Sequence, residues 1–453
     1  MEQVKENKMG TAPLFGLIMS MALPAMFSML VQSLYNVVDS YFVAKISENA
    51  LTAVSLANPI QMLMISVAVG TGVGINSLVS RRLGEGKLEE ANHAATHGLL
   101  LGFANWILFA LLGLFLTKPF FGAITENQEI QQLGMEYIFI VTICSIGIFV
   151  ELNIEKMLQA TGNMIFPMIF QLIGAITNIV LDPIMILGLL GFPKMGIAGA
   201  GVATVTGQIL SMVVALIVLF AKKHRIKIRL KGFRLRKSTI FDIYAVGFPS
   251  MIMQSIGSVL VASMNLILGS FSDTAIAVYG IYFKLQSFVF MPVFGLTHGV
   301  MPIMGYNYGA RKKDRLISAL KIGCMIALVI MAAGMMIFMV FPENLLNIFD
   351  ASEHMKEIGI PALRIIALCF PFAALGILFS TLFQAVGMGT SSLIISVLRQ
   401  LVLILPAAYF LSKIGLFYVW FSFPFAELFS CLASILVFIN LYRKKLVLLE
   451  NIE

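Results

Sequence analysis

The 453-residue chain is 59% hydrophobic and only 12% charged, with a mean hydropathy of +0.93 and a formal net charge of +8. That composition excludes a water-soluble or disordered chain and requires lipid to solvate much of the surface. The apolar runs last about 20 residues or more, enough to cross about 30 Å of hydrocarbon as a helix; they do not alternate apolar with polar residues, which excludes barrel strands.

Charged and turn-forming stretches cut the chain into twelve predicted spans: 14–41, 52–80, 96–118, 133–157, 165–189, 197–221, 240–270, 275–305, 315–341, 358–385, 391–411 and 417–442. A short polar head carrying Lys5 and Lys8 precedes the first run, which lacks a small-residue cleavage site and reads as a retained span. Span 1 carries Gln32, Asn36 and Asp39, spaced by four and three, on one helical face. In span 2 the run Gly70-Thr71-Gly72-Val73-Gly74 looks like an ion filter, but inside a span such small residues favour close helix packing. Span 4 offers Glu151 and Glu155, four apart; span 5 offers Asn178 and Asp182, with Pro183 predicting a kink and a freed carbonyl beside the carboxylate. The basic stretch 222–239 follows span 6. The intramembrane charges of the second half are Lys284, Arg399 and Glu427, where a pairing of Lys284 or Arg399 with Glu427 competes with a role in gating. Cys144, Cys324, Cys369 and Cys431 all fall within spans, so neither a metal pair nor an extracellular disulfide framework is indicated.

The chain is written twice, at an offset of 225 residues. Pro24 and Pro249, Gln61 and Gln286, Gly70 and Gly295, Gly84 and Gly309, Gly98 and Gly323, Cys144 and Cys369, and Gln159 with Gly162 against Gln384 with Gly387 keep that spacing. The predicted organisation is therefore a six-helix lobe over 1–221, a basic cytoplasmic linker over 222–239 and a second six-helix lobe over 240–453. Arginine and lysine concentrate in the loops after spans 2, 6 and 8 and in the tail, placing both termini in the cytoplasm and requiring an even number of spans. The fold class is an all-α polytopic membrane protein: twelve transmembrane helices in two parallel six-helix repeats, forming a V-shaped two-lobed bundle. Repeats related by an axis along the membrane normal suit alternating access in a secondary transporter. Much of the positive charge is then a topology device facing anionic lipid, and no nucleic acid is expected as partner.

An ionisable side chain at the membrane centre costs at least about 2.5–3.5 kcal/mol, so each is a candidate functional site. The first repeat concentrates them. The residues 225 positions after Asp39 and Glu155 are Met264 and Ser380, so the acidic chemistry belongs to the first repeat alone. Clustered carboxylates in a low dielectric cannot all be ionised comfortably, and one should hold a proton near neutrality. A sodium ion held by Asp39, Asn178 and Asp182 is the chemical alternative, and the residues do not separate the two.

These segments carry a resemblance. Pro24 to Ala44 with its Tyr35-Asn36-Val37-Val38-Asp39 core, Leu83-Gly84-Glu85-Gly86, Ala160-Thr161-Gly162-Asn163, Asn178-Ile179-Val180-Leu181-Asp182-Pro183 and Gly199-Ala200-Gly201-Val202-Ala203-Thr204 together resemble the multidrug and toxic compound extrusion (MATE) family, in its MepA-like and DinF-like bacterial branches. The resemblance implies a two-lobed exporter in a bacterial cytoplasmic (inner) membrane that exchanges inward proton or sodium movement for outward movement of small organic cations. The family's coupling site carries over to Gln32, Asn36, Asp39, Asn178, Asp182 and Thr204; Glu155 stands where many relatives have an amide. The acidic site that other branches carry in the second lobe has no counterpart in spans 7 and 10. A cleft lined from spans 7, 8 and 10 would offer Met251, Met253, Phe283, Gln286 and Phe288 to planar cations through dispersion and cation–π contact, although for any single one of them packing and lipid contact are the stronger explanation. No HExxH, GxSxG or Walker A pattern is present, so neither an enzyme nor ATP as energy source is indicated, and the expected state is a cofactor-free monomer. The rival reading is a flippase of an amphiphilic lipid-linked precursor, which would want a basic cavity for pyrophosphate.

Overall fold

The computed structural model describes residues 7–229 and 232–449; the side chains at positions 36, 37, 40 and 44 lie outside that description. Every regular element among the described residues is helical. After a short turn of helix, Lys8–Thr11, come α1 (Leu14–Ala44), α2 (Glu48–Gly84), α3 (Leu88–Ile124), α4 in two halves (α4a, Gln128–Ile143; α4b, Ile146–Ala160), α5 (Ile165–Leu187) and α6 (Ile197–Ala221). The second series is α7 (Lys237–Gly269), α8 (Asp273–Gly309), α9 (Lys313–Val340), α10 in two halves (α10a, Glu353–Ala367; α10b, Phe370–Ala385), α11 (Gly389–Ser412) and α12 (Leu416–Leu446). Among the described residues, ten helices are long and apolar enough to cross a membrane, and counting each bent pair as one span gives twelve, as the sequence predicts.

Several helices outrun their predicted spans. Charged residues that mark a membrane boundary also make good helix ends: Glu89 and Glu90 occupy the first turn of α3, and Arg81 and Arg82 the last turn of α2, each complementing the helix dipole. The bends in α4 (43°) and α10 (47°) fall beside Cys144 and Cys369, one of the pairs spaced by 225 residues. At the first bend the carbonyl of Ile143 accepts from the Trp106 indole nitrogen of α3 (2.7 Å), and that of Thr142 from the Ser145 hydroxyl (2.7 Å), so backbone groups released by the break stay satisfied. Pro183 leaves α5 unbroken; the helix continues to Leu187 and ends at Gly188 in a left-handed conformation (φ 75°).

The repeat is visible as symmetric close packing. A Cβ on Gly74 would strike the carbonyl of Ile243 on α7, and a Cβ on Gly299 would strike the backbone of Ala22 on α1; likewise Gly70 meets Gly247 and Met251, and Gly295 meets Met26. Each glycine pair on the second helix of one repeat thus receives the first helix of the other. Gly84 and Gly309 complete the pattern reciprocally: a Cβ on Gly84 would overlap the carbonyl oxygen of Tyr306, and one on Gly309 that of Arg81. The Gly70–Gly74 run is a packing surface, not a filter. Gly72 faces a different neighbour, described below.

The chain forms two compact units. One comprises 27–79 and 87–251; the other 1–26, 80–86 and 252–453. Their boundaries fall two residues after Pro24 and Pro249, so the first helix of each repeat contributes to both units. In the first unit the basic linker is held against α3: the backbone N–H groups of Lys227, Arg229 and Arg236 donate to Asn92 (2.7 Å), Thr96 (3.2 Å) and His97 (2.9 Å), and Arg229 pairs with Glu89 (2.9 Å). In the second unit the N-terminal turn is pinned to α8 and α9, with Asn307 and Arg315 donating to the Met9 carbonyl (2.9 and 3.2 Å) and Lys312 to that of Gly10 (3.1 Å).

Candidate ion-coupling site

α5 and α6 approach so closely that a Cβ on Gly207 would lie 2.7 Å from the carbonyl oxygen of Gly174. One turn along each helix from that crossing stand Asn178 and Thr204, and the proximity brings them together. With its amide nitrogen facing Asp182, Asn178 donates to Asp182 Oδ2 (2.8 Å), while its oxygen accepts from the Thr204 backbone N–H (3.0 Å) and hydroxyl (3.2 Å). Asp182 is fully buried and Asn178 nearly so, so a neutral amide bridges a carboxylate to a helix that could not otherwise reach it.

α1 closes the group. Tyr35 shares a hydrogen bond with Thr204, and Asp39, one turn further on, acts electrostatically on Asp182. Among the described residues, Asp39 Oδ1 is buried and has no hydrogen-bond partner. From α4a, Tyr137 lies within electrostatic reach of both carboxylates and accepts from Gln61 of α2 (2.9 Å). The structure therefore brings Asp39, Asp182, Asn178 and Thr204 together in one unit. Gln32 is half-buried on α1, and the side chain of Asn36 lies outside the described residues. Tyr35, Tyr137 and Gln61 were not singled out from the sequence; the signals were there for Tyr35, one turn before Asp39 on the same face, and for Gln61, which keeps the repeat spacing with Gln286.

Glu155 belongs to a second cluster, where it is fully buried and accepts from Gln159 (2.7 Å), from Gln171 of α5 (2.8 Å) and from the Lys156 ammonium (3.0 Å). Lys156 also donates to Gln159 Oε1 (3.1 Å) and is only 3% exposed. Its stem runs over Gly72 of α2, where a Cβ would come within 2.6 Å of Lys156 Cγ. Sequence reading passed over Lys156 because a lysine near a span end ordinarily snorkels to the interface; here it is consumed by the neighbouring acid.

In the second unit, Glu427 pairs with Arg399 (3.1 Å), while the exposed Lys284 lies 5.9 Å from the Phe349 ring. Arg399 is the partner, and it stands in a seven-residue π-helical stretch, Leu398–Ile404. Of the substrate candidates, Met251 packs against Gly70, Met253 accepts from Ser392 through its sulfur (3.4 Å), Gln286 is half-buried, and Phe283 and Phe288 are exposed. An apolar groove of about 900 Å³ opens among α10, α11 and α12, lined by Phe372, Val402, Pro406, Phe410 and Phe425 among others, but it offers no charge to a cation.

The MatE family profile matches residues 24–184 and again 249–410, two segments whose starts are spaced by the same repeat. Multidrug export protein MepA of Staphylococcus saprophyticus is 25% identical over 431 residues, covering 95% of this chain and 94% of that protein. Among solved structures, the outward-facing conformation of a multidrug resistance MATE family transporter of the MOP superfamily superposes with a TM-score of 0.91 at 26% identity, over 99% of both chains. A MOP superfamily transporter from Pyrococcus furiosus, whose binding pocket of reversed polarity suggests a different function, matches with a TM-score of 0.91 at 26% identity over 98% of this chain and 100% of its own. With both repeats matched and the whole fold shared, the chain belongs to the MatE family of membrane transporters.

Proposed function

We propose that this protein is a multidrug exporter of the cytoplasmic membrane that moves lipophilic organic cations outward in exchange for protons or sodium ions, with Asp39 and Asp182 as the coupling carboxylates. The observation that carries the reading is the buried acidic group of the first unit. Asp182 is held by Asn178, and Asp39 presents a buried oxygen that no donor among the described residues reaches. An oxygen in that state gains most from a proton or a small cation, because either supplies the missing partner. Binding of one ion there removes the electrostatic conflict between the two carboxylates and favours one arrangement of α1, α5 and α6. Its loss favours another, which is the bistability that alternating access requires.

The family membership and the multidrug export activity named for the MepA relative support drugs as substrates. The arginine-rich and lysine-rich loops support cytoplasmic termini. The test is Asp39→Asn and Asp182→Asn in reconstituted protein. Each should abolish gradient-driven ethidium movement while leaving the protein folded and able to bind dye; full transport by both variants removes the mechanism.

A further inference from the structure

Glu151 stands one turn before Glu155 on α4b, nine-tenths buried, and its Oε1 has no hydrogen-bond partner. The charged groups acting on it are Glu155 and Lys156, both on its own helix. The helices packed against α4b bring neutral groups: α3 meets it at Gly98 and Gly102, where Asn153 donates to the Gly98 carbonyl (2.8 Å); α5 brings Gln171, with its own Oε1 unpartnered; and α6 brings Gln208, which packs on Gly147 and also has an unpartnered Oε1. Glu155 is fully compensated by three donors, one of them the only ammonium in the group. Lys156 thus neutralises Glu155 and leaves the negative charge of Glu151 in excess.

Among the described residues, the unpartnered buried side-chain atoms of α4b and of these two glutamines are all oxygens, so Glu151 Oε1 lacks a donor. The second repeat shows that the fold does not need these charges. The positions 225 residues after Glu151, Glu155 and Lys156 are Gly376, Ser380 and Thr381, and the Cβ position at Gly376 is open space. Buried charges that the twin helix does without are not there to hold the bundle together.

We propose that Glu151 is a second proton-exchanging carboxyl of the first unit, separate from Asp39 and Asp182, with the Glu155–Lys156 pair as a fixed charge background. The proton on Glu151 is the donor the site lacks, and the carboxyl releases it when a cation enters the unit or the site opens to water. The inference rests on the proposed coupling only for its link to transport; proton binding itself is a property of the cluster.

The test is infrared spectroscopy of the full chain in lipid vesicles stepped between acidic and alkaline pH, following the carbonyl stretch of protonated carboxyl groups. The other carboxyls of the chain also titrate, so the readout is the difference between spectra: in an Asp39→Asn/Asp182→Asn background, adding Glu151→Gln should remove one titrating component, and Glu151→Asp should retain it at a shifted frequency. Thermal melting of each variant identifies any that fail to fold, and Glu151→Asp keeps the proposal testable if the glutamine variant does. Identical pH-difference spectra with and without Glu151→Gln, or a Glu151 component that changes with sodium and not with pH, overturns the proposal. Failure of the Asp39–Asp182 reading would show as ethidium transport by those variants and would leave the infrared result intact, so the two can be told apart.

Discussion

Replacing Lys156 by methionine keeps the length and apolar volume of the stem that lies over Gly72 and removes only the ammonium. Lys156 is 3% exposed and Glu155 fully buried, at 3.0 Å, so water cannot replace the lost partner. Glu155 keeps its bonds from Gln159 and Gln171 but carries an uncompensated charge. Breaking a buried pair from one side costs about 3–5 kcal/mol, whereas replacing both partners by neutral groups of similar volume is often close to neutral. Lys156→Met should therefore destabilise strongly, and Glu155→Gln/Lys156→Met should recover most of the loss. A double-mutant cycle should give an interaction energy of about 2–3 kcal/mol. Reversible unfolding in mixed micelles, followed by tryptophan fluorescence, reads all four corners of the cycle. A Lys156→Met protein as stable as the parent, or a double variant weaker than either single one, would refute the compensation.

Gly309→Ala and Gly84→Ala each drive a methyl group into a carbonyl on the partner helix, a backbone atom that cannot easily move aside; each should cost about 1–3 kcal/mol and lower the melting temperature accordingly. Gly376→Ala, into open space at the same residue type, should not, and equal losses in all three would contradict the packing account. At the Arg399–Glu427 pair, Arg399→Met should destabilise by about 3 kcal/mol, while Arg399→Met/Glu427→Gln should recover stability and transport ethidium at close to the parent rate. Loss of transport in a stable double variant would assign the pair to gating.

The fold was legible because lipid imposes a simple code. Apolar length fixes the spans, and the 225-residue repeat fixes their grouping. What the repeat did not reveal is the exchange of first helices: glycines at 70, 74, 295 and 299 announce close packing, but nothing local says that the partner comes from the other repeat. The site was half legible. The four-residue spacing of Asn178 and Asp182 places them on one face, and the structure adds why Thr204 joins them, through the Gly174–Gly207 approach. The acidity of Glu155 is visible in the sequence, whereas its compensation by Gln159, Gln171 and Lys156 is not. Its neutralising partner is the very next residue, which on a helix ordinarily points elsewhere. The aromatic lining from Tyr35 and Tyr137 depends on helix rotation, which composition does not encode.

The most direct measurement is ethidium movement in liposomes containing the purified protein, under an imposed proton gradient and then a sodium gradient at matched membrane potential, for the parent and for Asp39→Asn/Asp182→Asn. The account predicts movement driven by one of the two gradients and lost in the double variant. Movement that ignores both gradients, or that persists in the double variant, would contradict it.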